Sequence, residues 1–394
     1  MHTKNMTEII LTRYLYLYDE VKIALISSLL NKNQDQSLFW ACEIYYSGHV
    51  DEFFDLIWKI YYDFYSTLNP GFRDYILKKQ NEYNNGDEEF KIIILIISNL
   101  LIRPYNLDIF MLRQQLIHRQ KEEPKEEAQP KKEEPKKKEP IEKFMEYIKT
   151  ANYLEIATYI ENCNDEPTIQ KVLDIVQEQL QEQEQLQEQE QEQQKQKQKL
   201  LQKWEKIKYS KKLVLLSYIM HQYSLKKKLV MGKNLYIRME PDQLDQMYRT
   251  YKTKKTKQNK AYNILKQVVL YNIDDRNNLG LFKVERPPID NWLYYASKSP
   301  IWEKRITKYN GIIDTKTKTV EFIDENDESR FRKKYDYEPE EQSKEIQQKS
   351  IGEINRTKTP QQFYDEYKHT SLVPQTPIQT PIQTPIQTNQ LFIL

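Results

Sequence analysis

Apolar residues in this chain fall into blocks with helical spacing. Across residues 51–68, Phe53, Leu56, Ile57, Ile60, Tyr61, Phe64 and Leu68 recur at three- and four-residue steps and form one face. Phe54, Trp58, Tyr62 and Tyr65 form a second face, while Asp51, Asp55, Lys59 and Asp63 leave a narrow polar stripe. A helix that is apolar on two sides must be covered on two sides, so the pattern predicts the middle of a helical stack. Start and stop signals divide the surrounding block. Thr7, Asp19 and Asp35 open helices, and another follows the Gly48 stop at His49-Val50. Asn69-Pro70-Gly71 ends the central helix, Gly86-Asp87 restarts one that stops near Pro104, and a last helix runs from Asp108 to Arg119. Such helices joined by short breaks predict antiparallel hairpins, hence a helical bundle or short α-solenoid over residues 1–119.

The pattern then changes several times. Residues 120–140 alternate Lys/Glu blocks with Pro and contain nothing that packs, which predicts a solvated, disordered linker. Residues 141–176 regain apolar periodicity through Phe144, Tyr147, Ile148, Leu154, Ile156, Ala157 and Ile160, predicting a helical hairpin broken at 162–167. Residues 177–203 are a low-complexity Gln/Glu/Lys run. It has the composition of a coiled coil, but only Leu180 and Leu186 interrupt its first part, so the heptad seam is missing and a single solvated helix is expected. Residues 204–350 form a second, mostly helical block, with buried helices expected at 213–223 and 261–271 and a partly helical aromatic stretch at 291–309. Within it, 311–323 alternates around a polar turn at 314–317 and predicts a β-hairpin. Residues 351–394 lose core formers and end in TPIQ repeats, predicting a disordered tail. The fold class expected is therefore mainly α, with one small β-hairpin and disordered linkers and tail.

Composition narrows the chemistry. The chain has 394 residues, a formal net charge of +2, 29 Tyr and only 7 Gly. Near-neutral charge implies no global steering toward nucleic acid, and scarce Gly argues against Gly-rich phosphate loops. The two cysteines, Cys42 and Cys163, lie in different blocks, which excludes a disulfide framework and suits a reducing compartment. The longest apolar run, 92–102, carries Ser98 and Asn99 and is shorter than the roughly 20 residues of a spanning helix. With no signal-peptide pattern at the N-terminus, the expectation is a soluble intracellular protein without a membrane span.

No catalytic, cofactor-binding or metal-ligating set emerges. His2, His49, His118, His221 and His369 are scattered, without HExxH or a Cys pair. Met231-Gly232-Lys233 lacks the upstream glycine and the following Ser/Thr of a P-loop. Residues 324–328 (DENDE) open like an EF-hand loop, but Ser329 and Tyr335 stand where Gly and Glu belong, so a solvated acidic turn is expected. A non-enzyme is the reading. One local charge feature stands out: Arg249, Tyr251, Lys252, Lys254, Lys255, Lys257 and Lys260 combine positive charge, no acid and one ring, a candidate nucleic-acid contact. In the tail, Thr359, Thr376, Thr380 and Thr384 each precede Pro and are candidate phosphorylation sites.

The strings LFWACEIYYSG, WKIYYDFYSTLNPGF, NWLYYASKSPIWEKRI and YDYEPEEQSKEIQQKSIG resemble a protein family of giant DNA viruses of the mimivirus type. The likeness spans both apolar blocks and omits the Lys/Glu linker, the Gln/Glu run and the TPIQ tail. It implies a viral origin and a setting in the infected-cell cytoplasm, its viral factory or the virion, and it attaches no activity or cofactor. The combined expectation is a non-enzymatic scaffold with a protein partner. The alternative is a nucleic-acid-binding accessory factor of viral transcription or replication, acting through residues 249–260.

Overall fold

The computed structural model describes residues 10–16, 18–86, 89–122, 141–163, 166–181, 211–233, 235–253, 292–335 and 365–367. Helices α1 (Tyr18–Leu30), α2 (Gln34–Ser47), α3 (Val50–Ile60), α4 (Phe72–Asn84), α5 (Glu89–Leu101) and α6 (Asp108–Glu122) build the first block. Helices α7 (Ile141–Thr150), α8 (Tyr153–Asn162) and α9 (Glu166–Gln181) follow, then α10 (Lys211–Lys226) and α11 (Pro241–Thr253). The last described part comprises α12 (Trp292–Ala296), α13 (Pro300–Lys308), strands β1 (Gly311–Asp314) and β2 (Thr319–Phe322), and α14 (Glu325–Tyr335). The fold is mainly helical, with one antiparallel two-stranded sheet in which Gly311 faces Phe322 and Asp314 faces Thr319.

Local chemistry explains the boundaries. Asn33, not Asp35, caps α2, its side-chain oxygen accepting the Gln36 N–H at 3.1 Å. Gly48 then ends α2 in the left-handed region (φ 95°), and an added Cβ there would lie 2.7 Å from Pro300 Cβ. Two demands, the turn and the close approach of α13, therefore fall on one glycine. The expected continuous helix over 51–68 instead passes from α3 into a π-helical turn, Tyr61–Tyr65, closed by Ser66 N–H on Tyr61 O at 2.7 Å. The shifted register keeps Tyr61, Tyr62, Phe64 and Tyr65 all buried. It also leaves Phe64 O to accept from Asn106 N–H at 2.9 Å. The polar stripe is only partly solvated: Asp51 and Asp55 are exposed, but Asp63 is buried against Arg113 at 2.5 Å.

Three further expectations change. The segment 141–176 has a second break at Ala151, whose positive φ of 52° separates α7 from α8. Residues 324–328 are not a solvated turn but the opening of α14. Asp324 accepts the Asn326 N–H at 3.1 Å, and Asp327 is buried, accepting from Asn310 and Arg330. Of the segment 351–394 only residues 365–367 are described, and among them Tyr367 is buried, its hydroxyl accepting from Asn31 Nδ2 at 3.1 Å. The predicted helix at 261–271 lies outside the described residues, as do most of the linker, the Gln-rich run and the TPIQ repeats.

Packing also departs from the division expected at residue 204. Helices α10 and α11 share one continuous core with α1–α9, in which α2 packs on α1 and α5, α8 on α6 and α7, and α11 on α2 and α5. Residues 292–335 build a smaller cluster around Trp292, Ala296, Trp302, Ile306 and Phe331. That cluster is completed by Leu11 and Leu15 from the N-terminal loop. The same loop sends Tyr14 and Tyr16 into the main core. Trp302 Nε1–H donates to Thr12 O at 3.0 Å and Arg305 to Arg13 O at 3.2 Å, so the small lobe is bonded to the loop as well as packed on it.

The loop is held by a buried ion pair. Arg13 Nε–H donates to Glu43 Oε2 at 2.8 Å, Tyr14 N–H donates to Glu43 Oε1 at 3.0 Å, and Arg13 Nη1–H reaches Lys252 O at 2.9 Å. Removing one member leaves the other charge buried and uncompensated, a loss of about 3–5 kcal/mol. Glu43→Ala is therefore expected to lower the unfolding free energy in urea by about that amount, and a loss under about 1 kcal/mol would refute this role.

Candidate interaction surface

Between α10 and α11 the chain forms a strap, residues 229–240 (LVMGKNLYIRME), whose described residues 229–233 and 235–240 are neither helix nor strand. Lys228 at φ 54° ends the helical path, and Leu229 N–H returns to Ser224 O at 3.0 Å. Pro241 then disfavours helix at Glu240 and opens α11 at its first position. The strap is seated against Phe72 and Tyr75 of α4, Asn99 and Arg103 at the end of α5, and Leu68 after the π-helical segment, which together line the groove it occupies.

Most of its polar attachments address the backbone. Asn99, in the last turn of the largely apolar helix α5, holds both polar groups of Ile237: Ile237 N–H donates to Asn99 Oδ1 at 2.8 Å, and Asn99 Nδ2–H donates to Ile237 O at 3.3 Å. One residue past the turn that ends α5, Arg103 Nη2–H donates to Leu235 O at 3.1 Å. Gly232 N–H donates to Leu68 O at 2.8 Å. The aromatic side-chain anchor is Tyr236, stacked on Tyr75 at 4.8 Å between centroids, with the Arg103 guanidinium over its ring at 4.8 Å, and Met239 packs against the main core. At about 0.5–1.5 kcal/mol net per hydrogen bond, these attachments sum to a few kcal/mol.

The strap exposes apolar side chains beside the charged Lys233, Arg238 and Glu240. Among the described residues, seven large hydrophobics are exposed, and four of them, Leu225, Val230, Leu235 and Tyr236, fall within residues 225–236. Val230 is 82% exposed and Leu235 63%. A fifth, Ile102, adjoins Arg103 in sequence. Isolated exposed hydrophobics need no explanation, but their concentration on one hydrogen-bonded segment makes it a candidate interaction surface.

Arg103, which holds Leu235 O, is itself met by a second cation. Lys32 is exposed along its length, but its ammonium donates to Arg103 O at 2.5 Å and lies 5.3 and 5.0 Å from the ring centroids of Tyr65 and Tyr105. Burial of that tip, and then the nearby Arg103 charge, lower its pKa to about 8. Burial likewise pushes the Tyr75 and Tyr105 hydroxyls up to about 12 and lowers the His221 imidazole, whose Nδ1 lies 2.8 Å from Thr67 O.

The sequence-predicted contacts fare differently. Arg249 and Lys252 are exposed on α11, but Tyr251 is buried, its hydroxyl donating to Asp35 Oδ1 at 2.9 Å. The ring expected to stack on bases is thus part of the core. Lys254, Lys255, Lys257 and Lys260 lie outside the described residues, as do Thr359, Thr376, Thr380 and Thr384. Among the described residues no group of three His, Cys, Asp or Glu is placed to hold a metal ion, and no helix is long and apolar enough to cross a membrane. The strap itself was not anticipated. Its signal was Asn99, a polar residue inside the run 92–102, because a buried amide requires a partner.

The chain matches no protein-family model, no curated protein and no solved structure.

Two outcomes follow from this geometry. A Cβ on Gly232 would lie 1.8 Å from Asn69 Oδ1, so Gly232→Ala must lift the strap or push Asn69 aside. Faster amide exchange at Gly232 and Ile237, with α6–α8 unchanged, is the expected result; unaltered protection would contradict it. For Lys32, the folded pKa of about 8 lies below the unfolded value of 10.5, so across that window the unfolded chain binds the proton that the folded chain releases. Stability relative to Lys32→Gln should therefore rise with pH across the window, measured as paired urea midpoints. Parallel curves would show that the ammonium is not desolvated.

Proposed function

We propose that this chain is a non-enzymatic protein-interaction scaffold whose contact surface is the outer side of the strap 229–240. The observation that carries the reading is the exposure of Val230 and Leu235 on a backbone fixed by Asn99, Arg103 and Leu68. A segment held from below, with apolar side chains turned outward, needs little ordering on binding and so meets a partner at reduced entropic cost. In the setting implied by the resemblance to giant-virus proteins, the scaffold acts in the infected-cell cytoplasm or in virion assembly. The nucleic-acid alternative loses its stacking residue, Tyr251, to the core and rests on charge alone.

The test is stoichiometric co-purification with a protein partner, with crosslinks mapped to residues. The double variant Val230→Asp/Leu235→Asp alters only exposed side chains, so wild-type stability and at least about tenfold weaker partner recovery are expected. A chain that stays partnerless, or a partner retained undiminished by the double variant, would sink the proposal.

A further inference from the structure

The groove beneath the strap has the chemistry of a receptor. Asn99 presents one donor and one acceptor to a single residue of the strap, as the edge of a β-strand would. Arg103 supplies a donor to the carbonyl two residues earlier and a cationic face to the intervening ring. Tyr75 and Phe72 form the stacking floor for that ring, 5.2 Å apart with their planes 16° from parallel. All three contacts are independent of the identity of the side chain at 235, which points outward, and only position 236 is read as an aromatic.

Asn99 gives a second, separate indication. It is fully buried in a largely apolar helix, and the N–H donor to its Oδ1 at normal hydrogen-bond length comes from the occupant of the groove. Its Nδ2 also donates to Tyr75 Oη at 3.1 Å and Leu95 O at 2.9 Å, so what a bound backbone adds is the close donor to Oδ1. The occupant is anchored to the main core by Met239 at its C-terminal end, and Leu229, Met231 and Ile237 are half-buried. Val230, Lys233, Leu235 and Arg238 are all exposed, so its departure unpacks none of their side chains.

From these features we propose that the α4–α5 groove is a binding site for an extended peptide carrying an aromatic residue, and that residues 229–240 are its tethered internal ligand. The proposal rests on the interaction-protein reading and adds the site and the class of ligand. A partner segment with an aromatic side chain exchanges with the strap by forming the same two bonds to Asn99 and the same stack on Tyr75. The strap, fixed at both ends to α10 and α11, competes at an effective concentration on the order of mM. Binding in trans is consequently weak until the strap is released, and release frees the apolar segment for other contacts.

The probe is a fluorescent peptide of residues 229–240, titrated against two full-length chains: the wild type, and a chain in which residues 230–238 are replaced by a Gly-Ser run of equal length. The expected result is at least about tenfold tighter binding to the strap-replaced chain. The same affinity should fall at least about tenfold when the peptide carries Tyr236→Ser or an N-methyl group on Ile237. These changes are made in the ligand, so they cannot be mistaken for misfolding. As a measurement on the unaltered protein, saturating peptide should raise amide exchange at Gly232 and Ile237 of the wild-type chain. Absence of binding, binding indifferent to the ring and the N–H, or strap protection unchanged by excess peptide would each overturn the proposal. None of these measurements involves the partner that Val230→Asp/Leu235→Asp tests, so the groove and the outer face of the strap fail separately.

Discussion

The rest of the structure depends on the burial of the Arg13–Glu43 pair. Two opposite charges removed from water are stable only if every remaining polar direction is satisfied. Here Arg13 and the Tyr14 N–H occupy the two carboxylate oxygens, and the guanidinium continues to the Tyr251 and Lys252 carbonyls. Those carbonyls belong to the last turn of α11, where a cation also meets the negative end of the helix dipole. The Tyr14 and Tyr46 rings cover the guanidinium carbon at 4.4 and 4.6 Å. One side chain thereby joins the N-terminal loop, α2 and α11.

The consequence is that a loop of seven residues, 10–16, serves two hydrophobic clusters at once. Leu11 and Leu15 complete the small lobe, while Tyr14 and Tyr16 complete the main core. Leu15 takes a positive φ of 67° to turn between them. Because α12–α14 seat on backbone carbonyls of this loop through Trp302 and Arg305, the position of the small lobe is set by the same buried pair. The approach of Pro300 to Gly48 completes the seat.

The strap shows a related use of buried polarity. In the largely apolar helix α5, Asn99 marks the place where the strap backbone is captured, and Arg103 and Tyr75 align it. The main core therefore supplies rigidity, while the proposed interaction surface is a segment attached mostly by hydrogen bonds to its backbone. A small number of such bonds fixes a conformation without burying the side chains that carry it.

Local pattern by itself determined the helical class, most helix positions in the first block, and the hairpin, where Asp314 turns the chain by accepting from Lys316 N–H at 2.7 Å. These are set by periodicity, Gly and Pro placement and side chains a few residues apart. The two-faced character of residues 51–68 also correctly marked the centre of a core. Only the tertiary structure decided the rest. It inserted the π-helical turn, drew Tyr251 inward to Asp35, joined α10 and α11 to the first block, and laid the strap on Asn99. The last three unite residues far apart in the chain, where no local spacing records the partner, and the π-helical turn, though local, is met by the distant Asn106 N–H on Phe64 O. Aromatic residues suit a core and an exposed face equally well, so pattern shows that Tyr251 and Tyr236 matter, and contacts alone show that the first is buried and the second lies in the groove.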